Sequence, residues 1–239
     1  MHSHVHACEH SHDLLPHADL FISEIAEGSN YNTYIEVFNP TGAAVSLDDY
    51  YFGRVADGPS TPGQYEYQLP FSSGASIAPG DVYVVCHSSA DAAIRAECDE
   101  TGWNALSNGD DGYCLLKGDA TTYDFIDCVG DFEGDPGYGW DVCGVSKATL
   151  DKTLVRKADA DFSFATRAGI GAAKPSEAIW EYTSVTTCQW DIYDQNTWTY
   201  LGSHTMLVSG MCWVGVALKG VFPEHFCFPV VYALQPDWF

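Results

Sequence analysis

The sequence predicts an all-β fold, a sandwich or barrel of short strands with one short helix. Three observations carry that prediction. Apolar runs, most of them five to eight residues long and rich in Val, Ile, Tyr and Phe, recur from residue 19 to residue 156. Gly, Pro, Asp and Asn stand between them, as turn residues stand between strands. Only one stretch has helical spacing. No repeat of roughly 20–50 residues is visible, which argues against solenoids and propellers.

The first run, residues 19–26, places Leu20, Ile22 and Glu24 on one face and Phe21, Ser23 and Ile25 on the other. That is the two-residue period of a strand. Glu27-Gly28-Ser29-Asn30 follows as a turn. Residues 34–39 read as a second strand, stopped at Pro40 because proline has no N–H for the ladder. Residues 50–55, 65–71, 82–87, 112–117, 123–129 and 153–156 repeat the style. Pro79-Gly80 feeds one of them as a type I or II turn, since proline presets φ and glycine tolerates positive φ. Asn108-Gly109-Asp110-Asp111-Gly112 is a second turn of residues that accept left-handed geometry. The helical stretch is 89–98, with Ala90, Ala93, Ile94 and Glu97 at helical offsets and Ser88 or Ser89 as N-cap. Leu20, Ile22, Ile35, Val37, Val82, Val84, Leu115, Ile126 and Leu154 are the expected core of two packed antiparallel sheets. Three regions result: a His-rich lead (1–18), a β-rich body (19–206) and an apolar tail (207–239).

Charge narrows the function classes. Asp and Glu number 33 against 10 Lys and Arg, a net charge of −23. Affinity for a phosphate backbone comes from Lys and Arg displacing counterions, so strong nucleic-acid binding is not expected. Six of the ten basic residues lie within 147–174: Lys147, Lys152, Arg156, Lys157, Arg167 and Lys174. The segment is either a strand with basic ends or a docking patch. Lys219, Pro223, Glu224 and Pro229 interrupt the tail, leaving no run of the ~20 residues a transmembrane span needs. Residues 1–19 hold six His and no apolar stretch, so no signal peptide is read there.

Nine Cys, at 8, 86, 98, 114, 128, 143, 188, 212 and 227, form no C-x-x-C pair. Cys86 and Cys114 lie in apolar runs, where a plain buried thiol is one reading. Cys98, Cys128, Cys143 and Cys188 lie nearer loops. At least one disulfide is expected among Cys98, Cys114, Cys128, Cys143 and Cys188, and with it an oxidising compartment.

Catalytic signals are weak. His6-Ala7-Cys8-Glu9-His10 spells H-x-x-E-H but has no apolar helix around it, so adventitious metal binding or no role is expected. There is no G-x-S-x-G, and Gly169-Ile170-Gly171 misses the dinucleotide and P-loop patterns. Asp131, Glu133 and Asp135, with Asp141, offer oxygen ligands for a calcium ion, although Pro136 and Val142 break the EF-hand pattern. A solvated acidic loop is the plainer reading, and the same choice holds for Asp110 and Asp111. Trp180, Tyr182, Trp190, Tyr193, Trp198 and Tyr200 crowd 21 residues. The pairs Trp180/Tyr182 and Trp198/Tyr200 are spaced to share a strand face, either in the core or as a platform for a glycan or polymer.

Several segments together resemble the lamin tail domain. They are Leu20-Phe21-Ile22-Ser23-Glu24-Ile25, Tyr34-Ile35-Glu36-Val37-Phe38-Asn39-Pro40-Thr41-Gly42, Val45-Ser46-Leu47, the stretch from Ser76-Ile77-Ala78-Pro79-Gly80 to Val85, Asn108–Gly112, Asp124–Asp127 and Thr153–Lys157. The continuation from Trp180 through Trp190 to Thr205 resembles the version beside secreted bacterial nucleases. The high Cys count and apolar tail depart from the family. The resemblance implies an immunoglobulin-like β-sandwich. It also implies a non-catalytic, extracellular attachment module that docks a larger assembly or an accompanying enzyme to a protein or surface polymer. An intracellular or nuclear setting is the alternative compartment. Lys152, Arg156, Lys157, Trp180, Tyr182, Trp198 and Tyr200 are the candidate binding residues. The rival functions are an accessory fragment of a secreted nuclease or phosphatase, and a calcium-dependent adhesive module.

Overall fold

A computed structural model of the chain describes residues 19–106, 108–158 and 188–206. Within them the β-rich strands pair into two main sheets. Strands β1 (Phe21–Glu27), β2 (Thr33–Phe38), β7 (Val82–Cys86), β8 (Glu100–Thr101), β11 (Lys152–Arg156) and β12 (Trp190–Asp194) form one, in the order β12-β11-β1-β2-β7-β8. Strands β4 (Tyr50–Val55), β5 (Tyr67–Pro70), β9 (Gly112–Gly118) and β10 (Tyr123–Val129) form the other, in the order β10-β9-β4-β5. The short strands β3 (Val45–Ser46) and β6 (Ser76–Ile77) pair separately. All pairings are antiparallel except β7 with β8.

The sheets pack face to face as an immunoglobulin-like sandwich. Ile22, Ile35, Val37, Val85, Leu154 and Trp190 from one sheet meet Phe52, Tyr113, Leu115, Ile126 and Val129 from the other. Each outer face is covered as well. Helix α1 (Ala92–Glu97), Leu201, Trp198 and Met206 cover Phe21, Tyr34, Phe38, Val82 and Val84. Tyr65, Tyr123 and Phe132 cover Tyr51, Leu116 and the Cys114–Cys128 bridge. This is why β2, β4 and β7 are buried at every position. All nine expected core residues are buried, although Val82 and Val84 belong to the outer cluster rather than the interface between the sheets.

The expected alternation along the first strand fails at one point. The β1–β2 register shifts between Ile22 and Glu24, a bulge at Ser23. A bulge turns two consecutive side chains to one face. Ser23 and Glu24 therefore both reach the outer-face residues Glu36 and Tyr34, while Ile25 packs into the inner core. A second bulge between Phe125 and Asp127 places Ile126 and Asp127 together between the sheets. The helix is shorter than expected, and Asp91, not Ser88 or Ser89, caps it by accepting the Ala93 N–H. The strand expected over 65–71 pairs only at Tyr67–Pro70.

Three disulfides join Cys86–Cys98, Cys114–Cys128 and Cys143–Cys188. The expected bridge is present, in Cys114–Cys128 and Cys143–Cys188, and Cys86, outside the expected set, is bridged as well: apolar surroundings hide a bridge as readily as a thiol. Cys143–Cys188 closes the longest loop, 45 residues apart in sequence. Replacing both Cys143 and Cys188 by Ser should cost about 2–4 kcal/mol of unfolding free energy, read by urea denaturation.

One ion pair links the sheets. The Arg156 guanidinium on β11 donates to Asp127 on β10, to the Ile22 carbonyl (3.2 Å) and to Gln189 Oε1 (3.0 Å). Its Cζ lies 3.9 Å from the Trp190 ring centre. Asp127 in turn accepts the N–H groups of Ile22 and Cys128, each at 2.9 Å. Burial pushes the Asp127 carboxyl up and the guanidinium down, and each partner's charge opposes that shift. Asp127→Ala or Arg156→Ala should each destabilise the fold by about 3–5 kcal/mol, because either leaves an uncompensated buried charge. Thermal or urea denaturation measures this.

Candidate functional site

At one end of the sandwich the sheets part around a small crevice, partly open to solvent, with free room of about 30 Å³. Its apolar walls include Ile25, Ile35, Leu106, Val129 and Leu154, and Glu27, Thr33, Asn108, Thr149 and Lys152 stand around them. The walls are hydrogen-bonded in place. Thr33 Oγ1 donates to the Leu106 carbonyl (3.4 Å), Thr149 Oγ1 to the Gly109 carbonyl (2.6 Å) and Trp140 Nε1 to the Asp111 carbonyl (2.9 Å). Beside the cleft, Arg54 donates to Asp111 Oδ2 from Nη2 (3.0 Å) and Nε (3.2 Å), and the Tyr113 hydroxyl donates to the same oxygen (2.8 Å).

The rim is acidic. Glu27 accepts the Asp151 N–H at 2.7 Å. Burial pushes its carboxyl up to about 7, and the nearby Asp151 and Asp110 carboxylates push it the same way. Burial, then the Asp57 carboxylate, raises Asp110. Asp57, Asp110 and Asp111 bring carboxylate oxygens within 4.8 Å of one another, the one such group among the described residues. The Asn108 amide donates into it, to Asp110 and to Asp57 (3.4 Å), and Asp111 faces Arg54. A calcium ion wants about six to eight oxygen ligands. The Asn108 amide and the Arg54 guanidinium hydrogen-bond to these carboxylates.

The four acidic residues expected around a calcium ion do not converge. Asp131 accepts the Glu133 and Gly134 N–H groups at 2.8 and 3.3 Å, Asp135 accepts Gly137 N at 2.7 Å and Asp141 accepts Lys147 N at 2.8 Å. These are local turn bonds. The basic patch is divided as well. Lys152 pairs with Asp194 at 2.9 Å and Lys157 with Asp191 at 3.8 Å. Arg156 is 2% exposed and is not a docking residue; period-two alternation from Leu154 turns it inward. Trp198 and Tyr200 are not on one strand face. They follow β12 in a turn-rich segment, where Trp198 packs on the outer core and Tyr200 lies exposed, its ring 4.8 Å from Tyr193. Trp180, Tyr182, Arg167 and Lys174 lie outside the described residues. Glu27, Asp57, Leu106 and Thr149 had no sequence signal as a set, because the loops that join them are distant in the chain. Only Asp110 and Asp111 stood out.

Among the described residues, no helix is long and apolar enough to cross a membrane. Lys152→Ala and Lys157→Ala should each change stability by no more than about 1 kcal/mol, as exposed ion pairs do. Side by side in one denaturation series with Arg156→Ala, they separate surface cations from the buried one.

No curated protein matches the sequence. Residues 16–130 match the family described as Lamin Tail Domain. That stretch holds β1 to β10 and α1, and β11 and β12 complete the same six-stranded sheet beyond it. With its strand order, sandwich packing and acidic loop end in view, residues 16–130 of this chain belong to the lamin tail domain family.

Proposed function

We propose that this lamin tail domain is a non-catalytic, extracellular attachment module that docks a partner protein through the acidic-rimmed cleft. The observation that carries the reading is the juxtaposition of apolar walls, Ile25, Leu106, Val129 and Leu154, with Glu27 on the lining and the Asp110 and Asp151 carboxylates near Glu27. The apolar walls offer contact to an apolar side chain laid across the crevice, and the rim's charge selects a partner in which Lys or Arg flanks it. Three disulfides are compatible with an oxidising, extracellular setting. The net charge of −23 supports a partner that is basic rather than a nucleic acid.

The test uses a short peptide with one Leu between two Lys residues, titrated by calorimetry against the full chain. Binding should weaken with salt and fall about tenfold in Glu27→Lys/Asp110→Lys, roughly the effect of losing two partly buried charge contacts. Equal binding of a peptide with Ser in place of Leu would reduce the cleft to a general polyanion effect and sink the reading. In the same buffer, duplex DNA should show no sub-micromolar binding and no cleavage, because the basic residues of 152–157 are paired or buried. Salt-sensitive sub-micromolar binding lost in Lys152→Ala/Lys157→Ala would replace docking by nucleic-acid recognition.

A further inference from the structure

Two glutamates lie under cover on the outer face of the six-stranded sheet with no cation paired to them. Glu24 and Glu36 are 0% and 1% exposed, and none of the ion pairs among the described residues includes either. The Tyr34 hydroxyl donates to Glu24 Oε1, and Ser23 Oγ donates to Glu36 Oε1 at 2.6 Å. Glu24 Oε2 and, on neighbouring β11, Thr153 Oγ1 are buried without a hydrogen-bond partner.

The cover is the segment 196–206. Gly202 N donates to Glu36 Oε2 at 2.7 Å, and the Thr197 carbonyl lies 3.3 Å from the Tyr34 hydroxyl. Trp198, Leu201 and Met206 pack on the outer core. The His204 ring stands edge-on to Phe21 and Phe38, with centres 5.5 and 5.0 Å apart. Gly202 has φ +90°, a left-handed backbone conformation that glycine adopts without strain and other residues do not.

The titratable groups around the pair are acidic or neutral. Tyr34 comes from β2, and Tyr193 of β12 sits against Tyr200 of the cover. Asp99 and Asp81 face Glu36. Glu97 of α1 abuts Gly202. His204 is held uncharged, pulled down to about 4 by burial first and by Arg156 second.

We infer that a proton held within the Glu24–Glu36 pair latches segment 196–206 onto the sheet, and that losing it lifts the segment and bares Phe21, Tyr34, Phe38 and Val84. One negative charge is tolerated, because Gly202 N–H and Ser23 Oγ–H point at Glu36. A second has only the Tyr34 hydroxyl. Two unpaired charges in an apolar setting demand water, and the cover yields more readily than β1 and β2, which are laddered on both sides.

The titration agrees in order and sign. Burial, the largest cause for each, pushes Glu36 up to about 7 and Glu24 up to about 8, and the Glu36 charge adds to the rise at Glu24. The ordinary value is 4.5. Both carboxyls thus hold protons more tightly folded than unfolded. Their contribution is full below the unfolded value and is lost as pH rises through the two folded values. Tyr193 is pushed up to about 12, above this window.

The test is hydrogen exchange of the full chain at about pH 6 and about pH 9, corrected for the intrinsic rate. Protection in 196–206 should fall by about tenfold or more, the effect of one unit of pKa difference, while β2 amides hold theirs. Glu24→Gln should keep the segment protected at both pH values. Glu36→Gln should do the same and stands in if Glu24→Gln does not fold. Gly202→Ala should expose the segment at both pH values. A pH-independent segment in the wild type, or a Glu→Gln protein with the wild-type pH response, would overturn the latch.

Discussion

The contact between Arg156 and Asp127 is the constraint on which the sandwich depends. Arg156 lies on the six-stranded sheet and Asp127 on the four-stranded one, so the pair crosses the core. Two fully buried charges are costly unless each is paired and hydrogen-bonded all round. Here Asp127 accepts two backbone N–H groups and Arg156 reaches a carbonyl, an amide oxygen and the Trp190 face. The Ile22 backbone lies next to where the β1–β11 register ends at Val155, and these two side chains satisfy it in place of a strand. The pair therefore fixes the relative position of β1, β10, β11 and the start of β12.

Around that link the fold manages a large excess of negative charge. Many exposed acidic groups bind nearby donors: Asp48 and Asp141 are held below the usual carboxylate range first by backbone N–H groups, and Asp119 first by the Thr121 hydroxyl and then by backbone N–H groups. Others gather at the cleft, where they repel one another and raise Glu27 and Asp110. A third set, Glu24 and Glu36, is inside the fold and is accommodated by protons rather than by cations. Net charge far from zero disfavours a compact state, and three disulfides offset that by restricting the unfolded chain.

Strands were legible in the sequence because their cause is local. The apolar runs at Ile35 and Val37, Val82 and Val84, and Leu115 carry the period of a pleated chain, and Pro40 and Gly80 punctuate them. Less legible were the two-residue strands β3, β6 and β8, which exist only because a partner strand is present. The bulges at Ser23 and Ile126 were invisible for a similar reason. Alternation assumes one residue per position, and only the register of the neighbouring strand reveals the extra one. Of the candidate site, Asp110 and Asp111 were visible as turn acids. Glu27, Leu106 and Thr149 were not, since they become neighbours only when loops from both sheets close the same end of the sandwich.

The sequence by itself determined the all-β class, the identity of the core residues, the acidic character and the family of residues 16–130. These follow from composition, period-two patterning and turn residues, all of which act over a few neighbouring positions. Tertiary structure alone decided which Cys pair, that Arg156 is a buried link and not a docking cation, that Trp198 and Tyr200 part company, and that Glu24 meets Glu36. Each of those outcomes depends on the free energy of placing a side chain between surfaces far apart in the chain. A charged residue on an apolar strand, Arg156, reads as a surface group until its counter-charge, Asp127 on the other sheet, is brought against it.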